Sequence, residues 1–187
     1  METRRFEEYA AHCFKDHVPT IFQADTLEII DWRNPESSEY SIRFIFDNYG
    51  KTLSITGDLG DAILELPSFD VVNLREVGKI KDYGYLASKI SCSTDLYKYD
   101  YDLAREDIVE HLIAYTGKKV RFDDELMESF FDEYNGFTLS NEIEEELAWI
   151  DPDYEKWFYN AGKILCNRVL LWFRALNLIW NSLYSKK

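Results

Sequence analysis

Apolar residues recur at steps of three and four along Asp151–Leu183, and this spacing predicts one long amphipathic helix. Asp151 is a favourable N-cap, and Pro152 suits the first helical position because the N–H that proline lacks would have no helical partner there. The apolar face consists of Phe158, Ala161, Leu165, Val169, Trp172, Leu176, Ile179 and Leu183. Polar residues such as Arg174 and Asn177 mark the opposite face, so the apolar face needs a covering surface.

Three surfaces could cover this helix: a lipid bilayer, a second copy of the chain, or the rest of the same chain. Lys163, Arg168 and Arg174 interrupt the apolar run, which disfavours a membrane span because charges are costly in lipid. The bulky side chains of Trp157 and Trp172 would suit a homodimer through this C-terminal helix. The homodimer and an ordinary core helix both remain open.

The first third of the chain shows the alternation of apolar and polar residues that is typical of strands with one buried face. We expect an amino-terminal helix at Thr3–Phe14, followed by an antiparallel meander of four to five strands. The strands are expected at Thr20–Ala24, Leu27–Arg33, Tyr40–Phe46, Leu53–Ile55 and Ala62–Leu66. A turn at Asn48–Lys51 joins two of them as a hairpin.

After residue 66 the spacing becomes helical. We expect helices at Phe69–Val77, Tyr83–Ile90, Asp102–Tyr115, Phe122–Tyr134 and Asn141–Ile150. Tyr97, Tyr99 and Tyr101 alternate with polar residues, which suits either an edge strand or an exposed aromatic patch. The fold class is therefore α+β, with an amino-terminal helix, the antiparallel meander and a helical carboxyl-terminal half ending in the long helix. The expected domains are an α+β domain at 1–121 and a helical region at 122–187, packed together as one unit.

Charge is distributed unevenly along the 187 residues, whose net charge is −14. Residues 122–155 carry 13 acids and no Lys or Arg, whereas residues 156–187 carry six bases and no acid. A strongly negative field repels nucleic acid and attracts a basic protein. We therefore expect a basic protein partner and no direct binding of nucleic acid or membrane.

The acidic block provides the candidate partner-binding residues, which lie in two predicted helices. They are Asp123, Asp124, Glu128, Asp132, Glu133, Glu142, Glu145 and Glu146. Two functional roles fit such a face: a mimic of phosphates or a docking surface for a basic groove. A solvated face, or pairing with the basic residues of the last helix, would explain the same pattern.

The sequence offers little support for an enzyme, a cofactor or a metal site. It has no nucleophile elbow, phosphate loop, zinc-type cysteine pair or dinucleotide fingerprint. Cys13 and His17 could share one face of a helix, but no second Cys/His pair completes a site. Asp58 beside Asp61 could serve a small hydrolase, although acids are too abundant here for their spacing to be informative. We therefore expect a non-catalytic protein without cofactor or metal.

The three cysteines are widely spaced and odd in number, which favours reduced thiols over a disulfide framework. The amino terminus lacks the apolar stretch of a signal peptide. A cytoplasmic location is therefore expected.

Three segments of the first third resemble a group of small phage and prophage proteins of unassigned function. They are Phe14-Lys15-Asp16-His17, Ser37-Ser38-Glu39-Tyr40 and Leu53-Ser54-Ile55-Thr56-Gly57-Asp58-Leu59-Gly60. The resemblance implies an origin on a phage or another mobile element. In size and charge the chain is also similar to anti-CRISPR inhibitors of type II effector nucleases.

These observations together suggest a function. The leading hypothesis is a non-catalytic, phage-borne inhibitor that binds a host defence nuclease through its acidic surface, with a type II CRISPR effector or its guide complex as the partner. The alternative is a structural or regulatory phage accessory protein that self-associates.

Overall fold

A computed structural model describes residues 2–66, 73–93, 95–117 and 123–184 of the chain. The helices are α1 (Glu2–Cys13), α2 (Leu74–Val77), α3 (Tyr83–Ala87), α4 (Tyr101–Thr116), α5 (Asp124–Glu128), α6 (Asn141–Ile150), α7 (Glu155–Phe158) and α8 (Asn167–Tyr184). The strands are β1 (Val18–Ala24), β2 (Leu27–Arg33), β3 (Ile42–Asp47), β4 (Thr52–Gly57), β5 (Ala62–Glu65), β6 (Ile90–Ser93), β7 (Tyr97–Tyr99), β8 (Phe131–Asp132), β9 (Gly136–Phe137) and β10 (Lys163–Leu165). The expected α+β class is confirmed.

The chain divides into two compact units. Unit 1 comprises Met1–Leu96 and Asn167–Lys187, and unit 2 is Tyr97–Cys166. Unit 2 is therefore an insertion between the sheet of unit 1 and its last helix. The domain boundary expected between residues 121 and 122 falls within unit 2, and both of those residues lie outside the described ranges.

Unit 1 is built on a six-stranded antiparallel sheet in which every strand pairs with its neighbours in the sequence, in the order β1-β2-β3-β4-β5-β6. The predicted meander is confirmed, but it has one strand more than expected. The additional strand β6 begins where a helix was expected to continue, because α3 already ends at Ala87. Its sequence, Ile90–Ser93, contains mostly short side chains and therefore carries no clear alternation.

The sheet buries one face and leaves parts of the other exposed. The buried face includes Ile30, Trp32, Ile42, Phe44, Phe46, Leu53, Ile55, Ala62 and Leu64. On the opposite face, Phe22, Ile29, Ile45, Ser54, Ile63 and Cys92 lie in register across all six strands. Phe22 and Ile63 at the two sides of this row are 49% and 41% exposed.

The prediction of one long helix that begins at Asp151 is wrong for the first half of that segment. Asp151 follows the last turn of α6, and a short helix, a strand and a turn at Gly162 precede α8. Gly162 has a φ of +68°, and a Cβ at this position would lie 2.5 Å from Ala104 Cβ. The helical spacing persisted across this break because α7 and α8 each bury an apolar face, but in different units.

α8 is enclosed on most sides within unit 1. Its buried side chains are Val169, Leu171, Trp172, Phe173, Ala175, Leu176, Asn177 and Ile179. The core-helix interpretation is therefore correct for α8, which leaves little apolar surface for a dimer through this helix. Asn177, expected on the polar face, is buried because its amide donates to the carbonyls of Gly78 (2.8 Å) and Ile80 (3.0 Å) and accepts from Tyr83 Oη (2.8 Å). Among the described residues, no helix is long and apolar enough to cross a membrane.

Unit 2 has its own hydrophobic core, centred on α4 and α7. The buried residues are Ala104, Ile108, Leu112, Phe137, Tyr154, Phe158 and Ala161. β7 and β10, near the two ends of the unit, pair antiparallel with Tyr97 opposite Leu165. The edge-strand interpretation of Tyr97 and Tyr99 is thus confirmed, whereas Tyr101 begins α4, whose C-cap is Gly117.

Candidate functional site

All eight candidate partner-binding acids belong to unit 2 and lie in two surface segments. One segment consists of α5 and the β8–β9 hairpin; the other is α6. This corrects the prediction of a single helix over Phe122–Tyr134, because α5 ends at Glu128 and a hairpin follows. Phe122 lies outside the described residues.

Two acids of the first segment, Asp123 and Asp132, serve local structure. Asp123 is the N-cap of α5 and accepts the Leu126 N–H at 3.2 Å. Asp132 accepts the Tyr134 and Asn135 N–H groups at 2.9 and 2.8 Å and so closes the hairpin turn. These carboxylates are committed to the backbone, which is a sufficient reason for an acid at each position.

Two further acids of this segment differ in their environment. Glu133 is exposed and forms an ion pair with Lys98 at 2.9 Å. Glu128 is also exposed, and the structure gives it no hydrogen bond or ion pair within the described ranges. The side chain of Asp124 is outside the described part of the structure. Glu128 is therefore a candidate acid of this segment that remains available to a partner.

α6 carries the clearest candidate surface, which we call the α6 face: Glu142, Glu145, Glu146, Trp149 and Ile150. These residues follow helical spacing and are all exposed. Trp149 leaves 87% of its surface in solvent. The five side chains line an open depression of about 560 Å³. None of the three glutamates has a hydrogen bond or ion pair with any other described residue, so their charge is uncompensated.

The opposite side of α6 is held by apolar and polar contacts within unit 2. Leu147 packs against the core, and the Tyr159 hydroxyl donates to Glu144 Oε1. Burial, together with the Glu144 carboxylate, raises the pKa of Tyr159, so this hydroxyl keeps its proton and remains a donor. Asn141 is the first helical residue of α6, and the N-cap Ser140 precedes it without a side-chain capping bond. The exposed acids of α6 therefore stand on a helix anchored by its inner side.

A second polar cluster in unit 2 was not anticipated from the sequence. Asp151 is buried and accepts the Asp153 N–H and the Trp157 indole N–H, each at 2.9 Å. His111 Nε2 lies 3.3 Å from Asp151 Oδ2, and since a carboxylate only accepts, this nitrogen carries the proton. The His111 ring stacks on Trp157 with centroids 3.8 Å apart. Asp151 and His111 are 40 residues apart, so no local spacing could have revealed the pair.

The bonds to Asp151 explain how it tolerates burial as a carboxylate. The Asp153 N–H, followed by Trp157 and His111, lowers the pKa of Asp151 below its ordinary value of 3.8. The ionised form therefore stabilises the fold above pH 3.8, and this contribution is lost as the pH falls through the lower folded value. Both carboxylate oxygens are engaged by donors, so we interpret the cluster as an anchor between α4 and the segment after α6.

The other residues with candidate chemistry have structural partners. Asp58 Oδ2 accepts the Tyr40 N–H at 2.8 Å, which fixes a turn in unit 1. Cys13 is buried, and His17 Nε2 lies 3.2 Å from the Tyr40 carbonyl. Within the described ranges, no group of three or more His, Cys, Asp or Glu residues could hold a metal ion.

The two arginines of α8 pair within unit 1. Arg174 contacts Glu7 at 2.7 Å, and Arg168 lies 4.0 Å from the Asp95 carboxylate. These two bases thus have acidic partners within their own unit, whereas Lys156, another base of the predicted last helix, pairs with Asp153 of the acidic block at 2.7 Å.

Comparisons of the chain with protein-family models, with curated proteins and with solved structures found no match.

Proposed function

We propose that the chain is a non-catalytic inhibitor encoded by a phage or another mobile element, and that it binds a basic groove of a host defence nuclease, such as a type II CRISPR effector, through the α6 face. The observation that carries this proposal is the combination of three unpaired glutamates with a tryptophan that is 87% exposed. Glu128, and Glu133 if it exchanges Lys98 for a base of the partner, would add charge from α5 and the β8–β9 hairpin.

The like charges of the α6 face repel one another in the free chain and attract a basic partner. Glu142 and Glu146 stand four residues apart on one helix face, and like charges at this spacing destabilise a helix. A partner rich in Lys and Arg would relieve that repulsion on binding and would be steered towards the negative surface. A groove that normally holds nucleic-acid phosphates has this chemistry.

Trp149 adds an apolar contact to the charged contacts of the α6 face. Tryptophan is enriched among the residues that dominate binding energy, because a large ring buried in a pocket removes much apolar surface from water. In the free chain Trp149 and the 38% exposed Ile150 gain little from their own unit. Trp149 and Ile150 would therefore bind an apolar pocket of the partner, while the neighbouring glutamates form salt-sensitive ion pairs around them.

Two sequence features support the biological setting. The resemblance of the first third to small phage and prophage proteins favours a mobile-element origin. The net charge of −14 disfavours direct competition by binding nucleic acid and favours occupation of a protein groove.

The test is capture of a purified type II effector nuclease by this chain, with and without guide RNA, at low and high ionic strength. We expect salt-sensitive capture that guide RNA weakens. The triple variant Glu142→Lys, Glu145→Lys, Glu146→Lys should abolish capture, and Trp149→Ala should weaken it by roughly tenfold or more.

The matched control reverses three exposed acids of unit 1 (Glu36→Lys, Glu39→Lys, Asp61→Lys) and changes net charge by the same amount. Equal losses for the two triple variants would attribute capture to net charge and would reject the α6 face as the site. Capture that persists after the α6 substitutions would reject it as well.

A self-associating structural or regulatory phage accessory protein is the second candidate. The observation that favours it is the exposed and uncharged strand β1, with the sequence Val-Pro-Thr-Ile-Phe-Gln-Ala. Failure of the chain to bind effector in any condition, together with concentration-dependent self-association, would favour this candidate.

A further inference from the structure

β1 is an exposed edge of the six-stranded sheet. It is the first strand in the order of that sheet, so within the described part of the chain one side of its backbone has no strand beside it. Six of its seven residues are exposed, including Val18, Ile21 and Phe22 at 47%, 42% and 49%. Sheet edges are usually shielded by charged residues, proline, a covering segment or a short strand length, because a free edge pairs readily with another strand. Over its seven residues β1 has no charged side chain, and Pro19 is the one shielding residue that it contains.

The register of β1 shows which backbone groups are free. Ala24 and Leu27 face each other across a two-residue turn, so they form the hydrogen-bonded pair that closes the hairpin. Alternation then directs the N–H and C=O groups of Val18, Thr20, Phe22 and Ala24 towards β2. The corresponding groups of Pro19, Ile21 and Gln23 point away from the sheet. Pro19 thus occupies an outward position, where its missing N–H costs no bond within the sheet.

We propose that β1 pairs antiparallel with β1 of a second copy of this chain, about a twofold axis at Ile21, so that the two six-stranded sheets join into one. The inference does not depend on the proposed inhibitor function. In this register the Ile21 N–H of each copy donates to the Ile21 carbonyl of the other copy. Each Gln23 N–H likewise donates to the Pro19 carbonyl of the other copy. Both outward N–H groups of the strand then have acceptors.

The side chains also suit this arrangement. Ile21 would lie beside Ile21 of the second copy on one face of the joined sheet, and Phe22 beside Thr20 of the second copy on the other. Both exposed apolar side chains would lose contact with water. On that face the two Phe22 side chains would be diagonal neighbours across the joint, which is within reach of aromatic side chains.

Charge argues for a second copy as the occupant of this edge. Two copies with a net charge of −14 repel each other over most of their surface, and β1 is a seven-residue stretch without any charge. Contact through β1 therefore brings no charged side chain of this strand against the second copy. Added salt should strengthen this dimer by screening the remaining repulsion, whereas it should weaken a complex made through the α6 face.

The first measurement is the molar mass of the full chain by sedimentation equilibrium over a wide range of concentration, at low and high salt. We expect a monomer–dimer equilibrium that shifts towards dimer at high salt. Ile21→Lys should raise the dimer dissociation constant on the order of tenfold, because two like charges would meet on the axis. Lysine also reduces the net negative charge, so the loss could not be attributed to greater overall repulsion.

Ile63→Lys is the matched control, since Ile63 has nearly the same exposure (41%) on the same sheet but lies on β5. It should leave the dissociation constant within about twofold of the parent value. Equal effects of the two lysines would overturn the proposal, as would a monomer at every concentration.

Hydrogen exchange provides a readout that does not depend on a variant. At concentrations where the dimer forms, the Ile21 and Gln23 amides should become protected, while the Thr20 and Phe22 amides should be protected in monomer and dimer alike. A dimer in which Ile21 and Gln23 exchange as freely as in the monomer would place the contact elsewhere and overturn the proposal.

Discussion

Two glycines of unit 2 have nearly the same backbone angle but very different surroundings. Gly162 has a φ of +68° and Gly117 a φ of +67°. A Cβ on Gly162 would meet Ala104 Cβ at 2.5 Å and would also approach the Asp100 carbonyl, whereas a Cβ on Gly117 meets nothing within 4 Å. Substituting each glycine by alanine therefore distinguishes two costs. Gly117 reports the left-handed backbone angle alone, and Gly162 reports that angle together with a steric clash.

We expect Gly117→Ala to lower the free energy of unfolding by roughly 1–2 kcal/mol, the cost of a left-handed angle. Gly162→Ala should cost about 1–3 kcal/mol more, because α4 must move away from the added methyl group. Urea unfolding of both variants and the parent measures the difference. Equal losses would mean that the packing of Gly162 against α4 is unimportant for stability.

The structural acids show which residue roles the sequence could reveal. Asp132 precedes Asn135-Gly136, a recognisable turn, and its bonds to nearby N–H groups follow from that local chemistry. Asp151 could not be understood in the same way, because its partner His111 comes from a distant helix. Asn177 was assigned to the polar face for the same reason, since the carbonyls it binds are far away in the sequence.

At the level of a single element, α6 combines a stable inner side with a strained outer one. Glu142, Glu145 and Glu146 repel one another on a ten-residue helix, and none has a counterion among the described residues. Helix-dipole attraction favours Glu142 in the first turn but not Glu146. The α6 face therefore costs stability in the free protein.

We expect Glu146→Lys to raise the free energy of unfolding by about 0.5–1 kcal/mol, because it replaces a repulsive i, i+4 pair with an attractive one. Glu146→Gln, which only removes the repulsion, should give about half of that gain. Chemical denaturation at low ionic strength measures both. High salt should abolish the gains; gains that persist would show that the effect is not electrostatic.

The sequence predicted the strands of unit 1 well and the helix at Asp151–Leu183 poorly. The strands of unit 1 were recognisable because one face is buried and the other is polar or exposed, as in Ile42–Asp47. The helix expected from Asp151 to Leu183 failed because a 3.6-residue period does not show whether the chain continues or breaks. Only Gly162 marked the break, and its left-handed angle is visible in the structure but not in the spacing.

For the whole molecule, the main consequence of the fold is that unit 2 is a closed insertion. Its ends are joined by the β7–β10 ladder, in which Tyr97 faces Leu165 and Tyr99 faces Lys163. Paired residues of antiparallel strands lie about 4.5–5.5 Å apart, so the unit begins and ends at nearly the same point. Its core comes from residues within the insertion.

We therefore expect the fragment 97–166 to fold alone, with a cooperative urea transition and a dispersed amide spectrum. The fragment 122–187, which follows the composition-based boundary, is the control and should not fold. It lacks Ala104, Ile108 and Leu112 of α4, which unit 2 needs for its core. A folded 122–187 fragment beside an unfolded 97–166 fragment would contradict this division of the chain.

The candidate surface was predictable in outline but not in detail. Composition identified the acidic block because 13 acids without a base are conspicuous in any sequence. It could not separate Asp123, which caps a helix, from Glu145, which has no partner within the described residues. It also gave no weight to Trp149, whose exposure depends on which side of α6 faces the core.

The insertion also determines the order in which the molecule can be completed during synthesis. The strands of unit 1 leave the ribosome in the order in which they pair, so each can join the one before it. The unit still lacks α8, whose buried side chains are translated only after all of Tyr97–Cys166. Unit 2, which carries the α6 face, is thus the first part of the protein whose fold can be complete.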